Sequence, residues 1–153
     1  MTLEDPMNRR EALGTLGVAA AGLTALAAAD VHADEHHMHD EHFDKCAKTS
    51  ADCQVQCDSC FHHCAELVSK GDKARIKTIY LCLDCAELCG TSAKLMARRS
   101  PLSSVACEAC AKACDECGAA CEKFPTDKHM AECAKSCRDC AKVCREMIKH
   151  LAH

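Results

Sequence analysis

The sequence predicts an all-α protein, an antiparallel up-down-up-down four-helix bundle with a cysteine-lined core. Three observations carry that expectation. Cysteines recur at gaps of three and four residues in four separate stretches, turn-forming residues part these stretches, and nowhere do apolar and polar residues alternate as in a strand. The 153 residues are the length of one modest domain, so one core must serve the whole chain. That core is short of bulky groups. The aromatics are Phe43, Phe61, Phe124 and Tyr80, Trp is absent, and Cys reaches 17 residues, a content that marks a disulfide or metal scaffold.

In chain order, the first 33 residues stand apart from the fold. Asn8-Arg9-Arg10-Glu11 precedes an apolar run from Leu13 to Ala29, the pattern of a signal peptide with a twin-arginine pair, although Ala12 stands where such leaders usually carry Phe. The small-residue exit Val31-His32-Ala33 places cleavage after Ala33. Residues 1–33 are therefore expected to be removed, leaving residues 34–153 as the bundle, periplasmic and free of the membrane. An uncleaved anchor is the alternative, and the shortness of the apolar run opposes it.

Within residues 34–153, the first stretch holds Cys46, Cys53, Cys57, Cys60 and Cys64, and the second holds Cys82, Cys85 and Cys89. The third holds Cys107, Cys110, Cys114, Cys117 and Cys121, and the last holds Cys133, Cys137, Cys140 and Cys144. At about 100° per residue each set lies within an arc of roughly 60 to 80°, so every helix carries one stripe of thiols. The breaks agree. In Ser69-Lys70-Gly71-Asp72, Gly closes the first helix and Asp caps the second. Ser100 is expected to cap the third helix with Pro101 at its first position, and Phe124-Pro125-Thr126-Asp127 ends it. Short connections make sequential helices antiparallel neighbours and bring the stripes together on the bundle axis.

Buried Cys can act as a small hydrophobe, but an ordinary core mixes Leu, Ile, Val and Phe to reach native density. Here nearly every inward position in mid-helix is Cys. A disulfide-stapled structural bundle is the stronger alternative, since exported Cys-rich chains are usually cross-linked. The odd count of 17 opposes it, as does the near-parallel projection of residues three or four apart on a helix. Metal ligation accounts for the pattern, because Cβ atoms at i and i+4 stand roughly 5–6 Å apart, a gap that two thiolates sharing an ion can bridge. Cys53–Cys57, Cys60–Cys64, Cys85–Cys89, Cys110–Cys114, Cys117–Cys121, Cys133–Cys137 and Cys140–Cys144 have that spacing. All-thiolate sites select Cu(I), Zn(II) or iron–sulfur clusters. Zinc takes a tetrahedron of four ligands, whereas rigid parallel helices are expected to offer pairs, which suit low-coordinate Cu(I). Neither a Cys-x2-Cys-x2-Cys cluster run nor a Cys-x2-Cys-His haem site occurs. Multiple Cu(I) ions per chain are expected, with all the cysteines as ligands.

From Asp34 to His153 the chain resembles the four-helix-bundle copper storage proteins of bacteria, on the alternation of Cys-x3-Cys and Cys-x2-Cys in all four helices and on the twin-arginine leader of the exported branch. The resemblance implies many Cu(I) ions held inside the bundle, mostly by Cys pairs, and assembly as a tetramer. Ser50 departs from the pattern, taking the seam position between Cys46 and Cys53, where the ladder of ligands is expected to thin.

Soft and nitrogen ligands gather at one end of the expected bundle. His39 and His42 fall on the Cys46 stripe, Met96 on the Cys89 face, and Met147 one turn beyond Cys144. A loading mouth is expected there, with solvated His residues and gap-filling Met as the alternative. The other end is expected to be closed by Leu67, Val68 and Phe124, with Ile79 and Met130 at the stripe edges. Cleavage after Ala33 would make His36 the third residue from a free amine, a Cu(II) chelate, against the alternative of a solubilising His-rich tail. The second helix is apolar around much of its circumference, at Ile76, Tyr80, Leu81, Leu83, Leu88 and Leu95, so a homo-oligomer contact is assigned to it.

A net charge of −4, with Lys and Arg dispersed among Asp and Glu, offers no basic stripe, and nucleic acid is not an expected partner. A thiol–disulfide oxidoreductase would place its Cys-x2-Cys at a helix start in a βαβ setting, which the pattern lacks, so no enzyme is expected. A copper chaperone passing ions to a recipient protein, or a detoxification protein, would use the same ligand chemistry.

Overall fold

A computed structural model of the chain describes residues 30–152, with side chains from Glu41 onward. Residues 1–29 of the expected 1–33 leader lie outside the described residues, as do the side chains of His36 and His39. Four helices follow in order: α1 (Asp30–Ser69), α2 (Ile76–Ala97), α3 (Ser103–Cys121) and α4 (Lys128–Leu151). Among the described residues there is no strand, and no helix is long and apolar enough to cross a membrane.

Local chemistry sets the helix ends. Gly71, with φ 104°, lets α1 close by turning its backbone so that Gly71 N–H donates to Val68 C=O at 2.9 Å and Asp72 N–H to Leu67 C=O at 3.0 Å. Asp72 caps a single 3-10 turn, Lys73–Arg75, rather than α2 itself; its carboxylate accepts from Ala74 N–H at 3.3 Å. α3 begins at Ser103, two residues after the expected Pro101, because Pro101 and Leu102 form a turn closed by Ser103 N–H on Ser100 C=O at 3.0 Å. The Ser100 hydroxyl still accepts from Leu102 N–H at 3.2 Å. Asp127 caps α4, accepting from His129 and Met130 N–H at 3.1 and 3.3 Å.

α1 packs beside α2 and α4, and α3 packs beside the same two, so α1 and α3 face each other across the diagonal. This is the up-down-up-down arrangement expected from the short connections. Sulfur contacts fix the register. Across the diagonal, Cys46–Cys107, Cys53–Cys114 and Cys60–Cys121 repeat at one-heptad steps, each pair 61 residues apart in sequence. Ser50–Cys144 and Cys57–Cys137 set α1 against α4, and Met96–Cys107 and Cys89–Cys114 set α2 against α3.

With that register the core is a stack of layers, each taking one residue from every helix. The layer nearest the α1 start is Cys46, Met96, Cys107 and Met147, and the second is Ser50, Ser92, Cys110 and Cys144. Three all-cysteine layers follow: Cys53, Cys89, Cys114 and Cys140; then Cys57, Cys85, Cys117 and Cys137; then Cys60, Cys82, Cys121 and Cys133. Cys64, Thr78, Phe124 and Met130 close the stack. All but the half-buried Phe124 are buried, and every thiol is 0% exposed. Alanines Ala86, Ala111, Ala134 and Ala141 flank the stripes, and a Cβ on Gly90 would stand 2.6 Å from Gln54 Oε1, so small residues let the helices approach closely enough for short thiols to meet.

Candidate metal centre

The thiols are brought together by the bundle, more than by any one helix. Sγ–Sγ separations between helices run from 3.5 Å for Cys89–Cys110 and Cys89–Cys114, through 3.7 Å for Cys110–Cys140 and Cys57–Cys137, to 3.9 Å for Cys53–Cys114. Within one helix, Cys85–Cys89 meets at 3.8 Å. A disulfide needs about 2.05 Å, and all the cysteines from Cys46 to Cys144 are free thiols. These gaps suit a shared metal ion.

The stack also corrects one expectation from sequence. Parallel rods were expected to offer pairs of thiolates, yet four-thiol groups form, with all Sγ atoms within 4.8 Å of one another: Cys53, Cys89, Cys114 and Cys140; Cys60, Cys82, Cys121 and Cys133; Cys53, Cys57, Cys85 and Cys137; Cys57, Cys117, Cys133 and Cys137. Cys46, Cys107 and Cys144 make a three-thiol group. The reason is the register. A heptad layer draws one stripe residue from each of four helices, so the axis gathers sulfur in fours.

Without metal these thiols keep most of their protons. A hydrogen bond with Cys60, then burial, pushes Cys64 well above the ordinary thiol value, while Arg75 pulls weakly against them. Cys144 and, less strongly, burial push Cys107 up to about 12, against the pull of Cys46. Loading with metal therefore releases protons.

The two ends differ. At the α1 start, Met96 and Met147 are buried, with the Cys107 thiol 3.9 Å from Met96 Sδ. The seam position above Cys46 belongs to Phe43, 3% exposed, rather than to a histidine; His42 is half-buried one residue away and stacks on His150 with ring centroids 4.3 Å apart. Heptad phase decides this, since Phe43 stands three residues before Cys46 and His42 four. Ser50, expected to thin the ladder, sits 3.9 Å from Cys144 and 3.8 Å from Cys140, while the buried Ser92 and Ser103 hydroxyls have no partner in hydrogen-bond geometry among the described residues.

The far end holds a polar plug that sequence reasoning missed. Arg75, with its side chain 12% exposed, donates to Asp72 at 2.8 Å and to Asp127 at 2.9 Å, and lies 4.4 Å over the Phe124 ring. Its guanidinium also donates to Met130 Sδ. His63 contacts the same Asp127 carboxylate at 2.8 Å and stacks on His129. Met130 is fully buried on the seam, not at its edge, and Leu67 and Val68, expected to close this end, are half-buried. The cap position of Asp127, just before α4, was the available signal, but its ion partners come from α1 and the Asp72 turn.

Comparison with known proteins agrees with this geometry. The model of the copper storage protein family matches residues 38–149. The chain belongs to the copper storage protein family. Among solved structures it is similar to a Cu(I)-bound copper storage protein, BsCsp3, at 32% identity and a TM-score of 0.64, covering 70% of this chain and 98% of that one. Among curated proteins no significant match is found.

Proposed function

We infer that this member of the family is a Cu(I) store, and the observation that carries the reading is the column of free, fully buried thiols along the axis, with sulfurs of neighbouring helices meeting at 3.5 to 3.9 Å. Soft thiolate pairs and triples select Cu(I), and each Cu(I) offsets one thiolate charge, so a buried thiolate column can be filled to near neutrality. The chain binds multiple Cu(I) ions, and its role is storage rather than catalysis. The seventeen cysteines are proposed as the ligands. Anaerobic titration of the reduced chain with Cu(I) is expected to saturate at a stoichiometry approaching its 17 thiols; saturation at about one or two equivalents would mean a chaperone and overturn storage.

The finer proposals are supported by sequence and surface. The Arg9-Arg10 leader supports export to the periplasm by the twin-arginine route. Exposed Ile76, Tyr80, Leu83 and Leu88 on α2, with Tyr80 at 64%, support an oligomer, a tetramer by family resemblance, assembled through that face. Met96 and Met147, beside the outermost thiols, support loading from their end. Replacing both with Leu is expected to slow Cu(I) uptake without lowering capacity, and unchanged uptake kinetics would remove the mouth. For His36, mass spectrometry of the exported chain must give Asp34 as its first residue; any other start ends the Cu(II) chelate.

A further inference from the structure

We propose that the first and third of the all-cysteine layers are preformed tetrahedral sites for zinc(II), so that the core can hold about two divalent ions in place of its many Cu(I) ions. The sites are Cys53, Cys89, Cys114 and Cys140, and Cys60, Cys82, Cys121 and Cys133. Each set takes one cysteine from every helix, and its sulfurs all lie within 4.8 Å of one another. Zinc bound to four thiolates at about 2.3 Å needs sulfurs about 3.8 Å apart. Measured edges include 3.9 Å for Cys53–Cys114, 3.5 Å for Cys89–Cys114 and 3.9 Å for Cys60–Cys121. Small rotations of the thiols complete the tetrahedra.

Overlap sets the number. The four-thiol groups that use the middle layer borrow Cys53 or Cys133 from its neighbours, so of the four groups no more than two can be filled together. The two single-layer sets share no sulfur and stand one heptad, about 10 Å, apart along the axis, which keeps two dications well separated.

Charge decides what the middle layer does. Zinc displaces four thiol protons at each site and leaves a net charge of −2 there, which calls for hydrogen-bond donors to the bound sulfurs. The middle layer supplies them. The Cys85 thiol is oriented to donate to Cys114 at 3.6 Å and the Cys117 thiol to Cys82 at 3.7 Å, one toward each site. Copper(I) in excess would displace the zinc, because it can use all the thiols.

The test uses Co(II) as a visible probe of the reduced, metal-free chain under anaerobic conditions. The expected result is the intense visible absorption of tetrahedral tetrathiolate Co(II), saturating at about two ions per chain and bleached by Zn(II). Cys53→Ser and Cys133→Ser should each remove half of the signal, because each leaves only four-thiol groups that share a sulfur, and the double variant all of it, whereas the surface change Asp44→Asn should retain it. A weak octahedral spectrum, or a signal unaffected by the double variant, overturns the proposal. If the double variant loses its helices by circular dichroism, cadmium NMR of the unmutated chain decides: two tetrathiolate resonances support the sites, and any other number overturns them. A parallel Cu(I) titration that saturates near the thiol count while Co(II) fails would leave storage standing and remove only this inference.

Discussion

At one end of the bundle the layers hold Met96, Met147, Ser50 and Ser92 beneath Phe43, and at the other they hold Thr78, Phe124 and Met130 beneath the Arg75–Asp127–His63 network. Both ends continue the same heptads as the cysteine layers between them. They differ in how the helices are tied. At the far end, ion pairs with little solvent access join α1, the Asp72 turn and the cap of α4. At the Met end the cross-links are exposed, Arg99–Asp44 at 2.8 Å and Lys45–Glu146 at 3.4 Å, and pairs of that kind add little. The soft Met sulfurs stand at the end whose described ion pairs are the more exposed.

The largest expected effect comes from cutting the closed end. Asp127→Asn keeps a capping oxygen but leaves Arg75 and His63 without their carboxylate charge, which should cost about 3 kcal/mol in urea denaturation of the reduced, metal-free chain. Asp44→Asn at the Met end should cost less than about 0.5 kcal/mol. Equal losses would break the comparison.

Acid should act through the same residue. Burial pushes the Asp127 carboxyl up, but hydrogen bonds from His63 and the Met130 N–H, with Arg75 beside them, hold it below its ordinary value. A carboxyl lowered in the folded state stabilises above its unfolded pKa and loses that contribution as pH falls through its folded pKa. Denaturation midpoints of the native chain and of Asp127→Asn should therefore converge between about pH 5 and pH 2; a constant difference would exclude this role.

Two smaller changes sharpen the picture of the Met end. Ser50→Cys combined with Ser92→Cys would extend the all-cysteine column by one layer, and Cu(I) capacity should rise by about two ions, read by titration. Ser92→Ala should be nearly silent, within about 0.5 kcal/mol, because among the described residues the buried hydroxyl it removes makes no hydrogen bond of normal geometry.

Much of the fold was legible because helical periodicity is local. The gaps of three and four between Cys57, Cys60 and Cys64 need only the helix pitch to become a stripe, and the Gly71 closure needs only a residue that tolerates positive φ. The candidate site was legible at the level of element and ligand type. The exchange of Phe43 for His42 at the seam was not, because a stripe read at 100° per residue cannot separate two adjacent phases once four helices twist around one another.

By itself the sequence determined that the thiols face one axis, since their spacing and the helix pitch leave them no other face. Only the tertiary structure decided how they meet. The diagonal pairing of Cys53 with Cys114, the gathering of thiols in fours, and the Arg75–Asp127–His63 plug all depend on the relative register of helices. Register is settled by packing between segments distant in the chain, and no local spacing encodes it.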